Sequence, residues 1–318
     1  MKVIEFLERA TGPLISYEII PPRRGGSVAG IFSLVEKLLP FEPPFIDVTS
    51  HSAEVYYEEL PDGSLRRYAK RKRPGTLGLC AAIKGRFGIE TVPHLLCLGF
   101  SREETEDALI ELNYLGIQNV MALRGDDNGY RKVFSDNRTR NEYAADLVGQ
   151  IADMNRGIYL ESLLDAAPMD FCVGVAGYPE KHFESPNAAW DTTNLKRKVD
   201  AGAHYVTTQM VFNNEHYFQF VARCRSQGIE VPIIPGIKIL TSKKQLQLLP
   251  RHFHVEIPTD LAEEAATVPD DRVKDVGIEW AIRQSEELMS AGVPCVHFYI
   301  MQSADSVSRV VGTLRQMA

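Results

Sequence analysis

A single carboxylate stands inside an apolar, strand-like run, Leu14-Ile15-Ser16-Tyr17-Glu18-Ile19-Ile20, which Pro21-Pro22 closes. Two consecutive prolines offer no amide donors to a ladder, so the strand has to end just after the acid. Hemmed by Tyr17 and Ile19, such a carboxyl loses solvation and keeps its proton to higher pH. That is the way a protein makes a general acid that works near neutrality. The plainer alternative is a salt-bridged residue at a sheet edge.

Other strand-like runs also end on residues able to bind or react. Thr49-Ser50-His51, His94, Arg124-Gly125-Asp126, Tyr178, Gln209, Lys238 and Tyr299 each follow an apolar stretch. In Arg124-Gly125-Asp126 the glycine permits a tight turn or a close ligand approach, and its neighbours offer a fork donor and an acceptor. A structural Arg–Asp pair is the stronger alternative there, and an adhesion tripeptide, which needs an exposed extracellular loop, goes against the cytosolic composition. Within Asp191-Thr192-Thr193-Asn194-Leu195-Lys196-Arg197-Lys198-Val199, helical spacing puts Asp191, Asn194 and Lys198 on one face and Leu195 and Val199 on the buried stripe. That face suits the hydroxyls and phosphates of a large cofactor, although Asp191 could be only an N-cap. Arg66 to Arg73 is a dense basic run, read as a solvated loop or helix start, or as a rim facing an anion.

One recurring phrase supplies the elements that hold these residues: an amphipathic helix, a glycine, then an apolar strand. Gly116, Gly202, Gly228 and Gly292 each stand in that position, where a left-handed cap releases the chain into a strand. Strands are expected near 13–20, 45–50, 91–97, 118–124, 171–178, 205–212, 231–237 and 294–300. Eight strand–helix units predict an α/β (βα)8 TIM barrel, one domain over 1–318, with extra length at 126–141 and 250–275. A doubly wound open sheet is the alternative, but no GxGxxG follows the first strand. In a barrel, chemistry gathers at the C-terminal strand ends, where the polar residues fall.

The 318 residues carry a net charge of −7, which argues against nonspecific nucleic-acid binding. Five scattered cysteines lack metal spacing and read as free, buried thiols of a reducing cytosol. The N-terminus shows no signal peptide and no stretch reaches transmembrane length, so a cytoplasmic protein without membrane contact or bound metal is expected.

Taken together, these motifs resemble the methylenetetrahydrofolate reductase family along nearly the whole chain. They are Ser16-Tyr17-Glu18-Ile19-Ile20-Pro21-Pro22-Arg23, Val48-Thr49, Pro93-His94-Leu95 and Ala122-Leu123-Arg124-Gly125-Asp126. Further on come Tyr143-Ala144-Ala145-Asp146-Leu147-Val148, Ala176-Gly177-Tyr178-Pro179-Glu180 with His182, Asn194 to Ala203, Thr208-Gln209, Ile234-Pro235-Gly236-Ile237 and His297-Phe298-Tyr299. The resemblance implies noncovalent FAD at the C-terminal face of the barrel. The implied contacts are Thr49, His94, Arg124, Gly125, Asp126, Tyr143, Ala144, Tyr178, His182, Asp191, Asn194, Arg197 and Lys198. It implies Glu18, Gln209 and Tyr299 against the folate, with Asp126 near both rings. It further implies a ping-pong cycle in which NAD(P)H reduces the flavin, Glu18 protonates the folate N10, and hydride passes to the methylene carbon. Self-association is implied as well. The chain departs from the family pattern at Ile19 and Ile20 (usually aromatic), at Ser303 (usually arginine) and near Leu249, where an aromatic usually stacks on the nucleotide. No regulatory domain follows the barrel, so adenosylmethionine inhibition is not expected. Two rival readings are a flavin-free pterin-binding barrel, such as a folate-dependent methyltransferase, and a catalytically inactive homologue.

Overall fold

Eight parallel strands close into one barrel in the computed structural model, which describes residues 1–126, 132, 139–301 and 303–317. Strands β1 (Leu14–Ile19) and β2 (Phe45–Val48) open it, and an antiparallel hairpin of β3 (Glu54–Glu59) and β4 (Leu65–Lys70) stands outside. The barrel is completed by β5 (Glu90–Leu96), β6 (Asn119–Leu123), β7 (Cys172–Gly177), β8 (Tyr205–Val211), β9 (Ile233–Ile237) and β10 (Cys295–Met301). Around it run α1 (Val3–Arg9), α2 (Ala29–Leu38), α3 (Thr76–Phe87), α4 (Arg102–Tyr114), α5 (Ala144–Asn155), α6 (Ala188–Asp200) and α7 (Asn214–Ser226). The series ends with α8 (Gln245–Phe253), α9 (Thr259–Thr267), α10 (Val273–Ser290) and α11 (Asp305–Met317). β10 pairs with β1, which seals the cylinder. The TIM barrel and all eight of its expected strands are therefore present.

Successive strand residues alternate between the axis and the helices. One parity (Ile46, Val48, Val120, Val173, Val206, Ile233, Val296, Phe298) packs beneath the helices as the main core. The other faces the axis and changes character along it. At the N-terminal end it is apolar (Phe45, Val92, Met121, Cys172, Tyr205, Ile234, Cys295), and Val3 of α1 plugs that end. The Val3 amide donates to Asn119 Oδ1 at 2.8 Å, which fixes the plug. Two residues further along come Ser16, Asp47, His94 and His297, all buried. Two beyond those come Glu18, Thr49, Gln209, Lys238 and Tyr299. The same period that builds the strands thus carries polar side chains to the C-terminal mouth.

Two glycines mark close packing. A Cβ on Gly174 would lie 2.4 Å from the Tyr205 ring, which fills the barrel at that level. A Cβ on Gly277 of α10 would lie 1.9 Å from the Leu240 carbonyl oxygen. Backbone cannot yield as a side chain can, so Gly277→Ala is expected to cost about 1–3 kcal/mol by overpacking. A lowered urea midpoint would show it, and an unchanged midpoint would mean that α10 shifts freely.

Several local expectations need correction. Most of the basic run is strand rather than loop or helix start: Leu65–Lys70 is β4, exposed throughout and paired residue by residue with β3, and only Arg71, Lys72 and Arg73 lie in a loop. Asp191 is not an N-cap. Asn187 caps α6 by accepting from the Trp190 amide at 2.9 Å, which leaves Asp191 inside the helix. The length at 250–275 is the end of α8, all of α9 and the start of α10 rather than irregular chain. Most of 126–141 lies outside the described residues. Ser101 does cap α4, in a reciprocal box with Glu104. All five cysteines are buried and unbridged. No helix among the described residues is long and apolar enough to cross a membrane.

Candidate active site

Glu18 sits at the mouth on β1, level with Asp47 of β2 and Tyr299 of β10. His94 of β5 lies between two carboxylates, with Nε2 3.6 Å from Glu18 Oε2 and 3.4 Å from Asp47 Oδ2. All three side chains are largely hidden from solvent, Glu18 at 13% exposure and Asp47 at 2%. Burial pushes the Glu18 carboxyl up to about 7, with Asp47 adding to the rise and the charges of His94 and Lys238 opposing it. Burial by itself would pull His94 down, but its hydrogen bond to Asp47 and the two carboxylate charges outweigh that and hold the imidazole above its usual range. Glu18 therefore still carries its proton in a large share of molecules near neutral pH, so an acid is available there.

Behind this group, His297 Nδ1 shares a 2.8 Å hydrogen bond with the Ser16 hydroxyl, and burial drives its pKa down to about 4. It is a neutral wall. Lys238, just past β9, donates to the Tyr299 carbonyl at 2.7 Å, and burial lowers it to about 8 while Glu18 pulls it back up. The Tyr299 hydroxyl donates to the Thr208 carbonyl at 2.6 Å, across a strand whose Gly236 leaves room for the ring.

A second group occupies the ends of β6 and β7 and the inner face of α6. Arg124 makes a two-pronged pair with Glu184, at 2.5 and 2.7 Å, so its carboxylate partner is Glu184 rather than Asp126. Asp126 is exposed, and its charge is felt by both His51 and Tyr178, on opposite sides of the mouth. Buried Asp191 accepts from the Ser185 hydroxyl at 2.8 Å. Lys198 donates to the Ala176 carbonyl at 2.5 Å, and burial lowers it to about 8 against the pull of Asp191.

The family model for methylenetetrahydrofolate reductase matches residues 3–315. The chain belongs to the methylenetetrahydrofolate reductase family. It is 32% identical over 305 residues to 5,10-methylenetetrahydrofolate reductase of Pectobacterium carotovorum subsp. carotovorum, covering 94% of this chain and 89% of that one. Against the Escherichia coli (strain K12) protein of the same name it is 31% identical over 307 residues, covering 94% and 90%. A probable methylenetetrahydrofolate reductase (NADPH) of Caenorhabditis elegans is 28% identical over 304 residues, with 94% of this chain matching 42% of that longer one. A solved structure of an uncharacterized Clostridium thermocellum protein, which binds 5-methyl-5,6,7,8-tetrahydrofolic acid, shares the fold over the full length of both chains, with a TM-score of 0.61 and 13% identity. The chain is accordingly an oxidoreductase, and its family reduces methylenetetrahydrofolate to methyltetrahydrofolate.

For a methylenetetrahydrofolate reductase, the residues read from sequence divide cleanly. Glu18, Thr49, His94, Tyr299 and Gln209 converge on the mouth, and Gln209 Oε1 is folded back to accept from the Met210 amide. Arg124, Tyr178, His182, Asp191 and Lys198 gather beside it. Asn194, half-buried one turn from Asp191 and Lys198, accepts from Arg197 Nη1 at 3.2 Å. Tyr143 stands exposed at the N-cap of α5, directly before Ala144. Leu249 is buried among Met210, Phe212 and Leu261, so that position packs the core rather than facing the mouth. Ser303 is exposed and accepts weakly from the Asp305 amide.

Sequence reasoning missed Asp47 as a neighbour of the acid and His297 as the buried wall behind it, and it missed a ladder of rings. Tyr178, His182, Phe183 and His254 follow one another with centroids 4.6 to 4.7 Å apart, and Phe183 is 56% exposed. The signal lay in the aromatic content of Tyr178-Pro179-Glu180-Lys181-His182-Phe183.

Proposed function

We propose that this chain, as one domain over 1–318, reduces 5,10-methylenetetrahydrofolate with NAD(P)H through noncovalent FAD, in a ping-pong cycle with Glu18 as general acid. The observation that carries the reading is the buried Glu18 carboxyl, pushed up to about 7, at the mouth beside the His94–Asp47 pair. The residues present suit a dinucleotide flavin. The Thr49 hydroxyl is buried with no hydrogen-bond partner, as a group awaiting one would be. Arg124 and Lys198 supply cations for a pyrophosphate, and Asp191 and Asn194 supply acceptors for hydroxyls. Asp126, exposed between His51 and Tyr178, is placed to meet both flavin and pterin.

Bound flavin supplies the hydride chemistry. Glu18 gives its proton to N10 of the substrate, the methylene–N10 bond opens, and the positive charge is left on the N5-methylene group. Hydride addition at that carbon completes the methyl group. Glu18 is then an anion, stabilised by His94 and Lys238 until solvent returns its proton. Tyr299 and Gln209 line the pterin side, and buried His297 stays neutral and excludes water behind the acid.

Spectroscopy of the purified protein tests the reading. A yellow protein whose flavin is bleached by NADH or NADPH and reoxidised by methylenetetrahydrofolate is expected in stopped flow. A colourless protein that FAD cannot reconstitute favours a flavin-free pterin barrel. Flavin that is bleached by nucleotide but never reoxidised by the folate overturns the substrate assignment.

A further inference from the structure

Inside the barrel, below the mouth, two buried side-chain atoms of the described residues lack a hydrogen-bond partner: Asp47 Oδ1 on β2 and the Tyr205 hydroxyl on β8. Asp47 is 1% exposed and Tyr205 is fully enclosed. One is an acceptor and the other a donor, so each is what the other requires. Their neighbours Ser16 and His297 bond to each other, and the second Asp47 oxygen, Oδ2, meets His94 Nε2 at 3.4 Å.

Gly174 gives the hydroxyl its place. A Cβ there would lie 2.6 Å from Tyr205 Oη, so a larger residue is incompatible with the ring in this position. Strand pairing runs from Tyr205 to Gly174 on β7, from Gly174 to Met121 on β6, and from Met121 to His94 on β5. The phenol therefore leans along the row that ends on the imidazole held by Asp47. Burial apart, the charge of Asp47 bears most strongly on this hydroxyl, ahead of the Cys172 and Cys295 thiols. Tyr205 and Asp47 thus interact without a direct hydrogen bond. A donor and an acceptor left over in one sealed space need a small polar group between them, and a water molecule meets that need.

Asp47 acts on the whole interior. Its charge adds to the rise that burial imposes on Cys80, on Cys295 (up to about 12) and on Tyr299, and it opposes the fall of His297. Those thiols, that phenol and His297 are uncharged near neutrality. Glu18 of β1 and His94 of β5 are the groups around Asp47 that titrate there, with Lys238 facing Glu18 from past β9.

We propose that Tyr205 is a positioning residue for the acid: its hydroxyl donates through one bound water to Asp47 Oδ1, and this bond holds Asp47 against His94 and His94 beside Glu18. A chain of polar groups then runs from the closed half of the barrel to its mouth. The proposal deepens the reading of Glu18 given above and rests on it. Its sign follows from charge. A hydrogen bond to a carboxylate favours the ionised form. Without the hydroxyl, the proton between Asp47 and His94 moves toward Asp47, and the imidazole loses positive charge. After burial, His94 is the strongest influence on Glu18 and opposes its proton, ahead of Asp47, which favours it. Glu18 therefore keeps its proton to higher pH.

Two measurements test it. Tyr205→Phe keeps the ring over Gly174 and removes only the hydroxyl. Its alkaline limb in the folate half-reaction is expected about half a pH unit above native, with flavin reduction by nucleotide within about twofold. In an Asp47→Asn background the same substitution should leave the limb in place, because the group it acts through is gone. An unmoved or lowered limb in Tyr205→Phe overturns the proposal, as does an equal shift with and without Asp47. Carbon NMR of protein labelled at tyrosine Cζ needs neither flavin nor folate. The resonance missing from Tyr205→Phe belongs to Tyr205, and it should move on Asp47→Asn. That response in a protein inactive on every folate would remove the proposed activity and keep the hydrogen bond. An unresponsive resonance in an active enzyme would remove the bond alone.

Discussion

Glu18→Gln is expected to lower folate turnover by about 10²–10⁴-fold, the usual worth of a positioned general acid. Flavin reduction by nucleotide should stay within a few fold of native, because no proton from Glu18 enters that half-reaction. Stopped flow separates the two, and normal reoxidation by the folate in this variant would remove Glu18 from the mechanism. A second readout follows from burial. The folded-state pKa of about 7 lies above the 4.5 of a solvated glutamate, so burial makes the carboxyl hold its proton more tightly than in the unfolded chain. Below pH 4.5 the acid is neutral in both states and costs nothing. As pH rises through 7 it ionises in the fold, and that stability is lost. Glutamine never ionises. The variant should therefore match the native protein near pH 4 and exceed it above pH 7, by about 1–3 kcal/mol once His94 and Lys238 are allowed for. Paired urea titrations at the two pH values check this, and equal stability at both would mean that Glu18 is ionised without penalty.

Such a residue is kept despite its cost to the fold, and the barrel shows how the cost is confined. The axis-facing parity is apolar from Phe45 and Cys295 at the plugged end and becomes polar only from Ser16, Asp47 and His297 onward. Desolvated charge appears only where His94 and Lys238 can balance it. Stability is supplied at one end and reactivity at the other.

Much of this was legible in the sequence, because the barrel repeats a local signal. Glycine caps such as Gly116 and Gly202, followed by apolar runs, mark four of the strands, and most polar residues at the strand ends fall on the axis-facing parity, with Arg124 an exception. What escaped depends on neighbours distant in the chain. Asp47 reads as an oddity within Phe45-Ile46-Asp47-Val48 until β5 brings His94 alongside. Lys238 is visible at a strand end, but its relation to Glu18 passes through Tyr299, some sixty residues later. The β3–β4 hairpin escaped because Leu65–Lys70 is exposed on both faces and so has no apolar alternation to betray a strand. Asp191 resembled a cap because it is a cap-type residue ahead of the periodic run Leu195 and Val199, although Asn187-Ala188-Ala189 offers an earlier start.

Lys238→Met is expected to move the alkaline limb of the folate half-reaction to higher pH by about half a unit to one unit. The groups facing Glu18 decide the sign. From β5 comes the His94 imidazole, from β2 the Asp47 carboxyl, from β10 neutral His297 and the Tyr299 phenol, and from past β9 the Lys238 ammonium. Activity requires protonated Glu18, so the rate falls as pH rises through about 7. Lys238 titrates near 8 and is still charged across that interval, where it favours the carboxylate. Removing the cation lets Glu18 hold its proton longer, and the fall begins later. Lys238→Arg keeps the charge and should leave the limb in place, which separates electrostatics from loss of the bond to the Tyr299 carbonyl. If both variants shift the limb equally, the packing around Tyr299 governs the acid. A limb that moves to lower pH in Lys238→Met would show that the ammonium does not stabilise ionised Glu18 at all.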